Sequence, residues 1–383
     1  MGFYLALKEI WRGRGRFILF SGVIALITML VLFVAALAEG LGSGNREYIQ
    51  KLNADLIVYQ SKLDLSAGAS RIGVSRLNEI RRVDGIEAVG PIGLASVALT
   101  ENGEKLLNVA LIGVEPGLPG EPPAFEGRNL ASRRAREAVI DRNVALRADI
   151  AVGDTITIKS IQDTREEFYD LEVVGISDGR QYSLQPSVFI PFRAWEDLRP
   201  QGGPAAADAE LVANVVAAQA AEGSDLAALA DRIEAQVADV EAVDRVTAYE
   251  ATPGYSAQQS TLDTQRYFAL LIGILVIGGF FQILTLQKVA QIGMLKAIGA
   301  SNFVVGSAAI IQIIAVTVIG VGLGAALSLA LSLGFPPAVP IIFSPDAVST
   351  AVISLLLIGP VGGLVSVRYS LKVEPLTALG LAQ

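Results

Sequence analysis

Long stretches without a single charged residue constrain this chain more than any other feature. Phe17 to Ala38 is 22 residues long, and Tyr267 to Gln287 and Ala347 to Val367 are each 21. Any of them is long enough, as a helix, to cross a hydrocarbon layer of roughly 30 Å. Between Lys296 and Asp346 lie 49 uncharged residues. That stretch reads as a long helix over 303–333, followed by a break where Pro336, Pro337 and Pro340 cannot continue a helix. A soluble chain does not carry 52% hydrophobic and only 18% charged residues at a mean hydropathy of +0.51, so the fold class is that of a membrane protein. Four transmembrane helices are expected, one and then three, with an α+β extracytoplasmic domain on a helical stalk between the first and the second.

The charges give the threading a direction. The net charge of −8 divides unevenly: residues 39–266 carry 22 Lys+Arg and 35 Asp+Glu, whereas the N-terminal end, the 287–296 loop and the C-terminal tail carry 8 basic and 2 acidic residues. Lys8, Arg12, Arg14 and Arg16, then Lys288 and Lys296, then Arg368 and Lys372 fall on one face of a four-span chain, which the positive-inside rule assigns to the cytoplasm. A bacterial plasma (inner) membrane protein with both termini cytoplasmic and its large domain outside is the expected result. Secretory leaders have apolar cores of about 7 to 15 residues, so the 22-residue first run reads as a retained anchor.

The expected boundaries follow. Residues 1–16 form an amphipathic cytoplasmic segment, with Phe3, Leu7, Ile10 and Trp11 on one helical face, suited to a membrane surface. Transmembrane helix 1 covers 17–38, the extracytoplasmic domain with its stalk helices 39–266, and transmembrane helix 2 covers 267–287. A coupling segment at 288–302 precedes transmembrane helix 3 at 303–333, an outer loop at 334–346, transmembrane helix 4 at 347–367 and a cytoplasmic tail at 368–383. Within the outer domain, period-two strands flank helical patterns near Ser75 to Val83 and over Ser224 to Val240, which predicts a split βαβ lobe over 54–128 and 205–250. Val243 to Glu250 reads as the last strand of that lobe, and 129–200 as a mainly β insert. Glu39 to Asn53 and Thr247 to Arg266 read as the two stalk segments, and Pro253-Gly254 marks a joint within the second.

Much chemistry is excluded. With Cys 0 and His 0 there are no disulfides, no thiolate or imidazole metal ligands and no Ser-His or Cys nucleophile, so neither a catalytic nor a metal site is expected. No G-x-x-x-x-G-K-[ST] occurs, so no P-loop lies in this chain and ATP hydrolysis is expected in a partner. Glu166-Glu167 and Glu196-Asp197 read as solvated surface, and Arg12 to Arg16 as a topology anchor rather than a nucleic-acid patch. Gly320 and Gly324, like Gly359 and Gly363, have the spacing that brings membrane helices close together. Gln282 and Gln312, mid-span, are expected to face protein rather than lipid.

The most specific segment is Gln287-Lys288-Val289-Ala290-Gln291-Ile292-Gly293-Met294-Leu295-Lys296-Ala297-Ile298-Gly299-Ala300-Ser301. It resembles the cytoplasmic segment of MacB/FtsX-type (mechanotransmission class) ABC transporter permeases, with its I-G-x-L-[KR]-A-[IL]-G-A-S core. Gln291 stands where that family commonly has Glu. Val373-Glu374-Pro375-Leu376 is similar to the family's acidic-Pro ending. Gly15-Arg16-Phe17-Ile18-Leu19 and Asn53-Ala54-Asp55-Leu56-Ile57-Val58 look like the DevC and haem-exporter permease branch.

The resemblance implies a permease dimer, with a second copy of this chain, bound to two cytoplasmic ABC ATPase subunits that hold the ATP and Mg. Lys288, Gln291, Met294, Leu295, Lys296, Gly299, Ala300 and Ser301 would form the ATPase-coupling helix, and Glu374 and Pro375 a tail contact. The plainer alternative is a connector whose Ile292, Leu295 and Ile298 cover the membrane face. Membrane lipids and a membrane-fusion adaptor or other extracytoplasmic partner complete the expected partners; nucleic acid is not among them. The implied function is ATP-driven movement of the outer domain that exports a hydrophobic or amphiphilic substrate. The alternative is a non-transporting transmitter that activates a cell-wall hydrolase.

Overall fold

The structure is a computed structural model and describes residues 2–101, 104–201, 210–252, 255–335, 339 and 341–372. The elements begin with α1 (Gly2–Arg12), α2 (Arg14–Gln50), β1 (Leu56–Gln60), β2 (Ile72–Gly73), α3 (Val74–Ile80), β3 (Ile86–Glu101), β4 (Glu104–Val114) and β5 (Ala124–Gly127). They continue with β6 (Glu137–Asp141), α4 (Arg142–Ala148), β7 (Thr155–Gln162), β8 (Arg165–Ser177), β9 (Ser187–Pro191), α5 (Phe192–Leu198), β10 (Val212–Ala213) and β11 (Val215–Ala220). The last are α6 (Leu226–Gln236), β12 (Val240–Asp244), α7 (Arg245–Glu250), α8 (Tyr255–Gln287), α9 (Val289–Ala297), α10 (Asn302–Ser332) and α11 (Pro345–Lys372). They form two compact units, one of residues 1–40 and 259–383 and one of residues 41–258.

Among the described residues three helices, lying mainly in the first unit, are long and apolar enough to cross a membrane: Arg14–Gly44 within α2, Tyr255–Gln287 and Asn302–Ser332. α11 spans 28 residues and carries a shorter apolar stretch, Val348–Gly363. Ile24, Val31 and Leu32 of α2 meet Ile277 and Phe281 of α8, Ile313 and Val316 of α10, and Leu355 of α11 in one apolar cluster. α2 continues past Ala38 to Gln50 without a break, so the expected first span and first stalk segment are one helix. Pro336, Pro337 and Pro340, the Pro253-Gly254 joint and the tail from Val373 lie outside the described residues.

The second unit combines two β architectures on one continuous sheet. In the order β12-β1-β11-β3, β1 is antiparallel to both β11 and β12, and β11 is antiparallel to β3. The units β1-α3-β3 and β11-α6-β12 are therefore interleaved, each pair of parallel strands split by a strand of the other. β1 is buried over Leu56, Ile57, Val58 and Tyr59 because both faces are covered. Leu56 and Val58 pack with Leu77 and Ile80 of α3 and Leu229 and Ile233 of α6, while Ile57 and Tyr59 pack with Tyr48, Ile49 and Leu52.

Beyond β3 the sheet curls shut. The pairings run β3-β4-β9-β6-β8, and β7 pairs with both β8 and β3, which closes a six-strand ring filled by Val97, Leu99, Val109, Leu111, Ile140, Ile158 and Val173. Closure removes exposed strand edges. A border at 128–129 cuts through this ring, because β3 and β4 belong to it as much as β6 to β9 do. Trp195 of α5 lies against Gly93 and Gly113, register partners on β3 and β4; a Cβ at Gly113 would stand 2.5 Å from the Trp195 Cβ.

One strand expectation is overturned. Val243 to Glu250 is not a continuous strand, since β12 ends at Asp244 and α7 begins at Arg245. The Asp244 carboxylate accepts the N–H groups of Val246 (2.7 Å) and Thr247 (3.0 Å), an N-cap that satisfies the first orphan donors of a helix. The Thr247 backbone N–H, against the opposing effect of burial, holds that carboxyl below its usual range.

Asp141, at the end of β6, is fully buried. It accepts the N–H of Val144 at 2.9 Å, capping α4, and that of Ser187 at 3.1 Å, where β9 begins. Burial outweighs these bonds and pushes its pKa up to about 6. A carboxyl raised in the folded state holds a proton that the unfolded chain releases, so its contribution to stability grows as pH falls from 7 through 6. Asp141→Asn removes that dependence. The unfolding free energy of the parent relative to Asp141→Asn should rise by about 1 kcal/mol between pH 7 and pH 5, measured by paired denaturation curves. A pH-independent difference would contradict the assignment.

Candidate functional site

The 287–301 segment forms a short helix between two long ones, and its sequence dictates both joints. The N–H of Lys288 bonds the Thr285 carbonyl at 3.0 Å, and α9 starts at Val289. At the other end Gly299 takes φ +96°, its N–H reaches the Lys296 carbonyl at 3.1 Å, and the Ala300 N–H reaches the Leu295 carbonyl at 2.9 Å. That pair of bonds is a Schellman motif, which ends a helix through one left-handed residue and favours Gly there. Ser301 then caps α10 by accepting the Val304 N–H at 3.4 Å. Leu295 to Ser301 is thus a helix stop followed at once by a helix start.

The faces of α9 differ. Ile292 and Gly293 are buried and Leu295 is half-buried, whereas Gln291, Met294 and Ile298 are exposed, Met294 by 57% and Ile298 by 78%. The exposed positions 291, 294 and 298 follow helical spacing, giving a largely apolar ridge. Lys296 is partly buried, Gly299 and Ser301 are exposed, and Ala300 is half-buried. Glu374 and Pro375 lie outside the described residues.

Lys288 holds this segment to its surroundings. Its ammonium donates to Glu9 Oε2 at 2.7 Å and to Gln312 Oε1 at 3.3 Å, and Gln312 Nε2 donates to the same Glu9 oxygen at 2.5 Å. Lys288 also stands 5.7 Å from the Phe17 ring centroid. Close by, Arg16 donates to Gln287 Oε1 at 3.0 Å. Glu9 ties α1, the start of α9 and α10 at one point, and sequence reading missed it. It is the one acidic residue among the basic ones at the N-terminal end, and that isolation was the available signal.

The glycines sit at helix crossings. Cβ atoms at Gly320 and Gly324 would collide with Ile24 and with Ala25 and Thr28 of α2, and at Gly359 and Gly363 with Thr317 and Ile313 of α10. Gly278 of α8 stands likewise against Gly362 of α11, a crossing that the G-x-x-x-G spacing did not reveal. Gln312 is buried and bonded to protein, but Gln282 is exposed, contrary to expectation. The acidic pairs are engaged locally: Glu166 pairs with Lys159, Glu167 accepts the Tyr169 hydroxyl, and Glu196 pairs with Arg199. Among the described residues no group of three or more His, Cys, Asp or Glu is arranged to hold a metal.

Membrane helices joined by a short bonded helix, with a split βαβ and barrel domain between the first and second of them, define an integral membrane protein with one large domain outside the bilayer helices. The MacB-like periplasmic core domain matches residues 17–236 and the FtsX-like permease C-terminal domain residues 267–375. The chain belongs to the MacB/FtsX family of ABC transporter permeases. It is 25% identical to the putative hemin transport system permease protein HrtB of Staphylococcus haemolyticus (strain JCSC1435), over 98% of this chain and 99% of that one. The protein of the same description from Staphylococcus epidermidis (strain ATCC 35984) is 23% identical over 99% of each chain. The crystal structure of the periplasmic region of MacB from Actinobacillus actinomycetemcomitans covers 52% of this chain and 94% of its own at 12% identity, with a TM-score of 0.37.

The Glu9–Lys288 pair makes its own prediction. Glu9→Lys and Lys288→Glu should each lower the thermal midpoint of the detergent-solubilised protein, and the double exchange should restore most of it. A double-mutant cycle should give a coupling of about 1–2 kcal/mol; additive losses would show that the pair contributes nothing.

Proposed function

We propose that this chain is the membrane-spanning subunit through which a separate cytoplasmic ABC ATPase drives export of a hydrophobic or amphiphilic substrate. The observation that carries this reading is the exposed Gln291, Met294 and Ile298 ridge of α9, set on a helix whose ends are fixed by the Schellman motif and by Lys288. An apolar ridge on a short, bonded helix suits docking into a groove of a partner. Two ATPase subunits on a homodimer of this chain, holding ATP and Mg, would move the ridge. α9 would pass that motion to α1 and α10 through Glu9 and Gln312.

The outer part of the reading rests on α2. Its last turns are built into the outer unit: Tyr48 and Ile49 lie in the core, the Tyr48 hydroxyl donates to the Gly120 carbonyl at 3.0 Å, and Lys51, just past the helix, pairs with Glu47 and Asp178. A helix so anchored is suited to carry displacement to the outer domain as a hinge or shear motion. The two staphylococcal relatives are described as hemin transport permeases, and on that ground the proposed substrate is a tetrapyrrole such as haem. Both termini and α9 would be cytoplasmic, in keeping with the basic residues that flank the spans.

Two measurements test the reading. Met294→Glu with Ile298→Glu should leave membrane insertion unchanged and cut the amount of ABC ATPase copurifying with the tagged chain at least tenfold, since burying unpaired carboxylates at an apolar contact is costly. Undiminished copurification would remove α9 from the coupling role. Because the chain has no Cys, an introduced cysteine is unique. Glu222→Cys should react with an impermeant maleimide on intact cells and Gln291→Cys only after permeabilisation; the reverse pattern would invert the topology.

A further inference from the structure

The outer unit contains a cavity of about 180 Å³ whose walls come from both of its lobes: Leu77 and Arg81 at the α3 end, Glu115 after β4, Arg133 in the loop before β6, and Phe192 and Arg193 at the start of α5. Its floor is apolar, with Leu77 and Phe192 buried. Its rim carries three guanidinium side chains, all from exposed residues. Only Arg133 is committed to a carboxylate, that of Glu115. Arg81 makes one long contact, 3.5 Å to Asn78 Oδ1, and Arg193 makes no hydrogen bond or ion pair among the described residues. These arginines gather in a region where acidic residues outnumber basic ones by 35 to 22.

We propose that this cavity binds a small anionic amphiphile, with its carboxylate on Arg81 and Arg193 and its apolar body against Leu77 and Phe192. Guanidinium groups present planar pairs of donors that match a carboxylate. Placing unpaired arginines together raises the local potential against the acidic surroundings, and an anion relieves that repulsion. The volume equals about six waters at roughly 30 Å³ each. It is below the roughly 300 Å³ at which drug-sized pockets begin, so the cavity takes a short aryl or alkyl carboxylate, or that portion of a larger molecule. The site is separate from α9, and its occupancy does not depend on the transport reading.

The test uses the full-length protein in nanodiscs without any ATPase, so its outcome is independent of coupling or export. The probe is 4-(trifluoromethyl)phenylacetate, followed by fluorine NMR line broadening, beside its neutral amide as the control for apolar partition. The acid should bind at least tenfold more tightly than the amide, and added salt should weaken it, as expected for exposed charges. Arg81→Gln with Arg193→Gln should weaken the acid at least tenfold and leave the amide unchanged. Arg81→Lys with Arg193→Lys should retain part of the affinity, which separates loss of charge from loss of fold. No broadening by the acid, equal binding of acid and amide, or an undiminished signal in the Gln double variant would each overturn the proposal. So would binding of an acidic peptide with none of the small acid, since that describes a protein-docking surface instead.

Discussion

A peptide group in hydrocarbon finds no water to bond, so a segment that crosses it must satisfy its own N–H and C=O groups. Uncharged runs of 21 or 22 residues therefore become helices, and a polar side chain between them needs a partner of its own. In this chain one such contact gathers at a single point, where Glu9 accepts from Lys288 and Gln312. Gln312 is the informative member. An amide on an apolar helix is costly unless paired, and here Gln312 is paired with the acid that holds α9.

The motif from Leu295 to Ser301 is best understood as geometry. Gly299 at positive φ, the two Schellman bonds and the Ser301 cap set the angle between α9 and α10 through backbone hydrogen bonds, which are short-ranged and directional. Packing of flexible side chains would fix that angle less firmly. Because the stop and the start share only Ile298, Gly299, Ala300 and Ser301, little slack lies between the exposed ridge and the long helix that follows. This is the physical content behind a resemblance that sequence alone expresses as a string of letters.

What the sequence disclosed depended on how local the cause was. Three of the four expected spans fall on helices long and apolar enough to cross a membrane, because composition alone decides them, and the split βαβ order was legible because period-two and period-3.6 segments alternate. Barrel closure was not legible: it rests on β7 pairing with β3 across more than fifty residues, and nothing in either strand names its partner. Val243 to Glu250 was misread because its β-branched and aromatic residues favour a strand, whereas the Asp244 cap redirected it into α7. Gln282 was expected to face protein, yet periodicity in an apolar helix does not say which side another helix will cover. Glu9 was passed over because a lone acid among bases looks like surface.

β3 is where the two halves of the outer domain become one object. Its first residues pair with β11 of the split βαβ lobe and its later ones with β4 and β7 of the closed ring, so a single strand of 16 residues runs through both. Rotating one lobe against the other would require breaking that ladder rather than bending a linker. The remaining edge of the lobe, β12, carries Glu241 and Asp244, and charges on an edge discourage pairing with another chain. A domain joined internally in this way, without a free apolar edge at β12, holds together as one body and is poorly suited to absorb a displacement of one lobe against the other.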